Sequence, residues 1–127
     1  MMAGDMVLVV EDNDRNMKLV REVLRASGYR VLEASTGHRA LELATRHQPA
    51  LVLLDIRLPD IDGVDVLCRL RADEATASTP VVAITAQAMK GDRERLVEAG
   101  FDRCLQKPLD IDELLTTVAL YCAGRSD

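Results

Sequence analysis

The stretch Leu51–Gly63, LVLLDIRLPDIDG, opens with four aliphatic residues and then meets an aspartate. An apolar run without polar alternation is the pattern of a strand covered on both faces, as in a parallel sheet flanked by helices. Here the run stops on Asp55. The same thing happens at Met6–Val10, which is followed at once by Glu11 and Asp12. Two buried strands that both end on acids raise the question of whether those acids meet, and what chemistry their meeting supports.

Working outward, five apolar runs alternate with five amphipathic segments: Met6–Val10, Tyr29–Glu33, Leu51–Leu54, Val81–Ile84 and, weakest, Arg103–Leu105. The intervening patterns have helix ends. Asp14 is expected to cap a helix with Met17, Val20, Val23 and Leu24 on its apolar face, and Gly28 to end it. Asp110, with Glu113 three positions on, reads as a capping box for a last helix burying Ile111, Leu114, Leu115, Val118 and Cys122. Shorter helices are expected near His38–Arg46, Val64–Arg71 and Lys90–Ala99, with a polar loop over Ala72–Thr79 and a frayed tail at Gly124–Asp127. Strand–helix alternation of this kind predicts an α/β fold with one doubly wound parallel sheet and helices on both faces.

Composition narrows the function classes. The 127 residues suit one domain with a real core, expected to span the whole chain (1–127, core about 6–122) without an output domain. Sixteen basic against 21 acidic residues give a net charge of −5, and aromatics are 2 %, which argues against nucleic acid as the main ligand. No apolar stretch approaches the roughly 20 residues that a membrane span requires, and the N-terminus lacks the pattern of a secretion signal. Three cysteines (Cys68, Cys104 and Cys122), an odd number without C-x-x-C spacing, suit free thiols in a reducing cytoplasm.

In doubly wound sheets the functional site lies beyond the carboxyl ends of the strands. The residues there are Glu11 and Asp12, Asp55, Thr85, and Lys107 with Pro108. The end of the second run offers nothing charged, as expected of an edge strand. Clustered carboxylates repel one another unless a cation joins them or their pKa values rise. An oxygen-only set suits Mg²⁺, while a threonine hydroxyl and a lysine ammonium beside it match the needs of phosphoryl transfer. An aspartate in such a site can be the nucleophile, giving an acyl phosphate. Asp55 is the candidate because its strand is central. Taken singly, Asp12 or Asp14 serves equally well as a helix cap, Thr85 as an ordinary strand end, and Lys107 as a solvated loop residue. Their joint occurrence at four strand ends speaks against those readings.

The motifs VVEDN, LLDIRLPDIDG, VVAITA and LQKPL, in this order and spacing, closely resemble the receiver domain of bacterial two-component response regulators from about Met6 to Tyr121. EDNDRNMKL and TAQAMKGDRERLVEAG resemble its stand-alone, DivK-type members in particular. The resemblance implies a five-stranded sheet of order 2-1-3-4-5 and phosphate transfer to Asp55 from a sensor histidine kinase or histidine phosphotransfer protein. It implies Mg²⁺ on Asp12, Asp55 and the Arg57 backbone carbonyl, with Glu11 acting through water. It also implies Thr85 and Lys107 on the phosphoryl group, a cis Lys107–Pro108 bond, and a downstream protein as reader, with no direct contact to DNA or membrane. Cys104 departs from the pattern, since the family usually has Tyr or Phe there as a switch. Without that ring, the signal is expected to leave through residues 86–92, with Met89 as a partner contact.

Three rival readings fit the residues less well. A haloacid-dehalogenase-type enzyme typically carries a general acid two residues after its nucleophile, where this chain has Arg57. A degenerate receiver is disfavoured by the intact acid–Thr–Lys set. A nucleotide-binding protein is disfavoured because no G-x-x-x-x-G-K-[ST] follows the first strand. The expectation is therefore a phosphoacceptor, not an enzyme in its own right, with only slow self-dephosphorylation.

Overall fold

The computed structural model describes residues 5–86 and 92–123. Five strands and five helices alternate: β1 (Met6–Val10), α1 (Asp14–Ala26), β2 (Arg30–Ala34), α2 (Gly37–His47), β3 (Leu51–Asp55), α3 (Gly63–Ala72), β4 (Val81–Thr85), α4 (Asp92–Ala99), β5 (Arg103–Gln106) and α5 (Ile111–Ala123). The strands form one parallel sheet in the order β2-β1-β3-β4-β5, as expected.

The unbroken apolar character of the strands has its cause in two cores. On one face Leu8, Val10, Val52, Leu54, Val81, Ala83 and Cys104 pack with residues of α2, α3 and α4. On the other, Val7, Val9, Leu51, Leu53, Val82, Ile84 and Leu105 pack with Met17, Val20 and Leu24 of α1 and with Leu114, Val118 and Cys122 of α5. Alternate side chains of each strand go to opposite layers, so every position of β3 and β4 is buried. Each such Leu or Val contributes about 1.5–3 kcal/mol to folding. The edge strand β2 is only partly covered.

Three expectations need correcting. The cap of α1 is Asn13, whose side chain accepts from the Asn16 N–H at 3.0 Å; Asp14 is the first helical residue, where its charge suits the helix dipole. Ile111 is 43 % exposed, because it begins α5 at the rim rather than facing the sheet. The 72–79 loop is not merely polar surface. Thr76 and Thr79 are buried, and the Thr76 hydroxyl donates to the Leu70 carbonyl at 2.7 Å. Asp110 does accept from the Glu113 N–H at 3.0 Å, the first half of the expected capping box. Gln87, Met89, the expected helix start at Lys90 and the tail at 124–127 lie outside the described residues.

Candidate phosphoacceptor site

Strand register brings the acids together. Val10 lies opposite Leu54, so the next residues, Glu11 and Asp55, emerge side by side at the carboxyl end of the sheet. Asp55 itself pairs with Ile84, and Thr85 pairs with Gln106, which places Lys107 one residue past the edge of β5. The Lys107 N–H donates to the Thr85 carbonyl at 2.8 Å, and the peptide bond from Lys107 to Pro108 is cis.

The side chains then converge. The Lys107 ammonium stands 2.7 Å from Oδ2 of Asp55 and 3.0 Å from Oε1 of Glu11. The second oxygen of each acid is held by backbone: Oδ1 of Asp55 accepts from the Arg57 N–H at 3.0 Å, and Oε2 of Glu11 from the Asn13 N–H at 3.1 Å. Glu11 and Asp55 are both 4 % exposed, whereas Asp12 is exposed. Carboxylate oxygens of Glu11, Asp12 and Asp55 all lie within 4.8 Å of one another.

Three carboxylates therefore face one ammonium. Burial, the dominant influence, pushes the Glu11 carboxyl above its usual value; hydrogen bonds from Lys107 and the Asn13 N–H oppose this, and neighbouring Asp55 reinforces it. Burial pulls the Lys107 ammonium down, but its hydrogen bonds and charge interactions with Asp55 and Glu11 prevail and hold it above the ordinary lysine value. Oxygen donors this close, with too little positive charge among them, suit a hard divalent cation such as Mg²⁺.

The structure thus gathers Glu11, Asp12, Asp55 and Lys107 in one cluster. Arg57 joins them through its N–H, and its side chain lies in an exposed position; Thr85 is buried at the same edge. Asn13 was missed as a site residue. Its signal was available, since an Asn three residues before the Asn16 amide is a cap pattern, but two neighbouring aspartates competed for the role.

A model of the response regulator receiver domain matches residues 7–119. The chain belongs to that family. It is 43 % identical over 115 residues to the polar-differentiation response regulator DivK of Brucella ovis, an alignment covering 91 % of this chain and 94 % of the relative. DivK of Brucella anthropi is 42 % identical over the same length and coverage. Among solved structures, the receiver domain of a Pseudomonas aeruginosa sensor histidine kinase superposes with a TM-score of 0.88 at 36 % identity, over 95 % of this chain and 99 % of that one; it was solved with a magnesium ion coordinated in its active site cleft. A response regulator from Chloroflexus aurantiacus superposes equally well, at 32 % identity over 94 % and 98 % of the two chains.

As a receiver, the protein is a phosphoacceptor of two-component signalling, and kinase or phosphotransfer partners and downstream targets go with that membership. The receiver is a switch rather than an enzyme of the usual kind. Among the described residues no helix is long and apolar enough to cross a membrane.

Proposed function

We propose that Asp55 is the residue that accepts the phosphoryl group, and that the chain works as a phosphorylation-controlled protein-binding switch in the cytoplasm. The observation that carries this reading is the shared ion pair of Lys107 with Asp55 and Glu11 at 2.7 and 3.0 Å. The donor is the phosphohistidine of a sensor kinase or of a histidine phosphotransfer protein. An oxygen of Asp55 attacks phosphorus in line, the phosphorus–nitrogen bond breaks, and the imidazole leaves with the electron pair and takes up a proton.

Each residue has a physical task. Asp12, Asp55 and the Arg57 carbonyl would hold Mg²⁺, with Glu11 acting through water. Bound there, the ion would neutralise the acids and the phosphoryl oxygens together. Lys107 pairs with one phosphoryl oxygen as its bond to Asp55 is exchanged, and the Thr85 hydroxyl donates to another. The long cationic side chain of Arg57, exposed two residues after Asp55, is expected to shield the phosphoryl group from an attacking water, so that self-hydrolysis is slow. A downstream protein, rather than DNA or a membrane surface, reads the phosphorylated form.

The test is intact mass after incubation with acetyl phosphate and Mg²⁺. The wild type is expected to gain one phosphoryl group and Asp55→Asn none. A normal gain by the variant would show that another side chain accepts the phosphate.

A further inference from the structure

The loop between β3 and α3, residues 56–62, carries the Arg57 carbonyl and is fixed at two points. At its base the Ile56 N–H donates to the Ile84 carbonyl at 3.0 Å, and the Gly63 N–H closes onto the Ile56 carbonyl at 2.9 Å. A Cβ on Gly63 would stand 2.8 Å from the Ile56 Cα, so the closure admits only glycine.

The far end of the loop is held by a different element. Asp60 Oδ1 accepts from the Gly37 N–H at 2.8 Å, and its Oδ2 accepts from the His38 N–H at 2.9 Å. The His38 ring nitrogen Nδ1 also lies 2.7 Å from Oδ2; a carboxylate can only accept, so that nitrogen carries the hydrogen. These two amides open α2 and have no partner within the helix itself. The cap residue Thr36 reaches only the Arg39 N–H, at 3.1 Å. The contact is tight beyond these bonds, since a Cβ on Gly37 would fall 2.4 Å from Cγ1 of Ile61. The Asp60 side chain keeps only 23 % of its surface exposed. The His38 and Gly37 amides hold its carboxyl far below the usual carboxylate range, so the anion persists at every physiological pH.

We infer that Asp60 is a positioning residue for the phosphoacceptor site: by clamping the 56–62 loop to the first turn of α2, it fixes the Arg57 carbonyl where Mg²⁺ is to be held. The inference rests on the metal assignment proposed above. Three residues along the chain span at most about 10 Å, so freedom at Asp60 is passed directly to Arg57. Groups that orient a ligand from behind typically change metal affinity by about 10- to 100-fold.

Direct Mg²⁺ titration of the full chain by calorimetry, with melting in EDTA alongside, tests this. Asp60→Ala is expected to bind Mg²⁺ about tenfold more weakly, and Asp60→Asn, which keeps one acceptor oxygen, to lose a smaller but measurable part of the affinity. Thr36→Ala strips the other cap from α2 and is expected to lower the melting temperature while leaving Mg²⁺ affinity in place. Should Asp60→Ala fail to fold, the Asn variant alone decides, and wild-type affinity in it overturns the inference. Wild-type affinity in Asp60→Ala, or an equal loss in Thr36→Ala, overturns it too, since Asp60 would then serve only α2. A wild-type chain that binds no Mg²⁺ overturns the metal assignment and this inference together.

Discussion

Lys107 Nζ lies 2.7 Å from Oδ2 of Asp55, so the side chain proposed to receive the phosphoryl group is already paired with the ammonium proposed to hold it. The same ammonium serves Glu11 at 3.0 Å. One cation shared between two nearly buried acids gives Lys107 a structural task beside the chemical one proposed for it.

Lys107→Met leaves both acids without a counter-charge. In EDTA near neutral pH the expected loss is about 2 kcal/mol, below the value for a deep pair because Lys107 retains some solvent contact. The pH dependence follows from Glu11. Its folded pKa is raised above the ordinary 4.5, so its protonation favours the fold below that value and the benefit is lost as pH rises through the folded pKa. The Lys107→Met deficit is therefore expected to shrink between neutral and mildly acidic pH, as Glu11 takes up a proton. Urea unfolding at both pH values measures it, and a deficit that grows with acid would contradict the sign.

Asp12→Ala is expected to remove Mg²⁺ binding without weakening the metal-free fold. The cap of α1 is Asn13, so nothing is uncapped, and one like charge beside Glu11 and Asp55 disappears. In EDTA the variant should lie within about 0.5 kcal/mol of wild type, or slightly above it. At Mg²⁺ a hundredfold above its Kd, wild type gains about 2.7 kcal/mol and the variant gains nothing. A clear drop in EDTA would assign Asp12 a structural task that the geometry does not show.

Arg57→Ala is expected to lose its phosphate several-fold faster than wild type. The backbone N–H that holds Oδ1 of Asp55 remains, so only the long cationic side chain is removed. Following intact mass after the phosphodonor is withdrawn gives the lifetime; equal decay of the two proteins would exclude shielding by Arg57.

Cys104 is 8 % exposed and packs in the layer with Ala83, Leu96 and Phe101. A small buried thiol has little surface to relocate between two states, and an equilibrium shifts only by the difference between them. Beryllofluoride with Mg²⁺ is therefore expected to move the NMR signals of residues 86–92 far more than those of 103–105. The reverse pattern would make the cysteine the moving part.

What the sequence disclosed and what it hid divide along a physical line. Asp55, Glu11 and Lys107 were legible because strand ends are marked by the apolar runs before them, and parallel register forces neighbouring ends together. The strand order was legible only through family resemblance, since periodicity does not state which strand neighbours which. Asn13 and Asp14 are both cap-forming residue types, and only the backbone geometry makes Asn13 the cap and Asp14 the first helical residue. Ile111 fits the apolar stripe of α5 by spacing, yet the stripe does not say where the sheet stops covering it. Asp60 was invisible for a deeper reason: its partners lie 22 and 23 residues earlier, and a loop acid carries no local sign of a distant helix end.

The two-layer core also gives the molecule a pair of internal clocks. Cys104 lies in the layer under α2, α3 and α4, Cys122 in the layer under α1 and α5, with the sheet between them. Both buried thiols are expected to meet a reagent mainly when their own layer opens, whereas Cys68 on α3 is exposed and is expected to react first. With Cys68 replaced by serine, the labelling rates of Cys104 and Cys122 read the opening of each side separately. Equal rates mean that the protein breathes as one body; unequal rates reveal which side of the sheet loosens first, and whether phosphorylation changes that order.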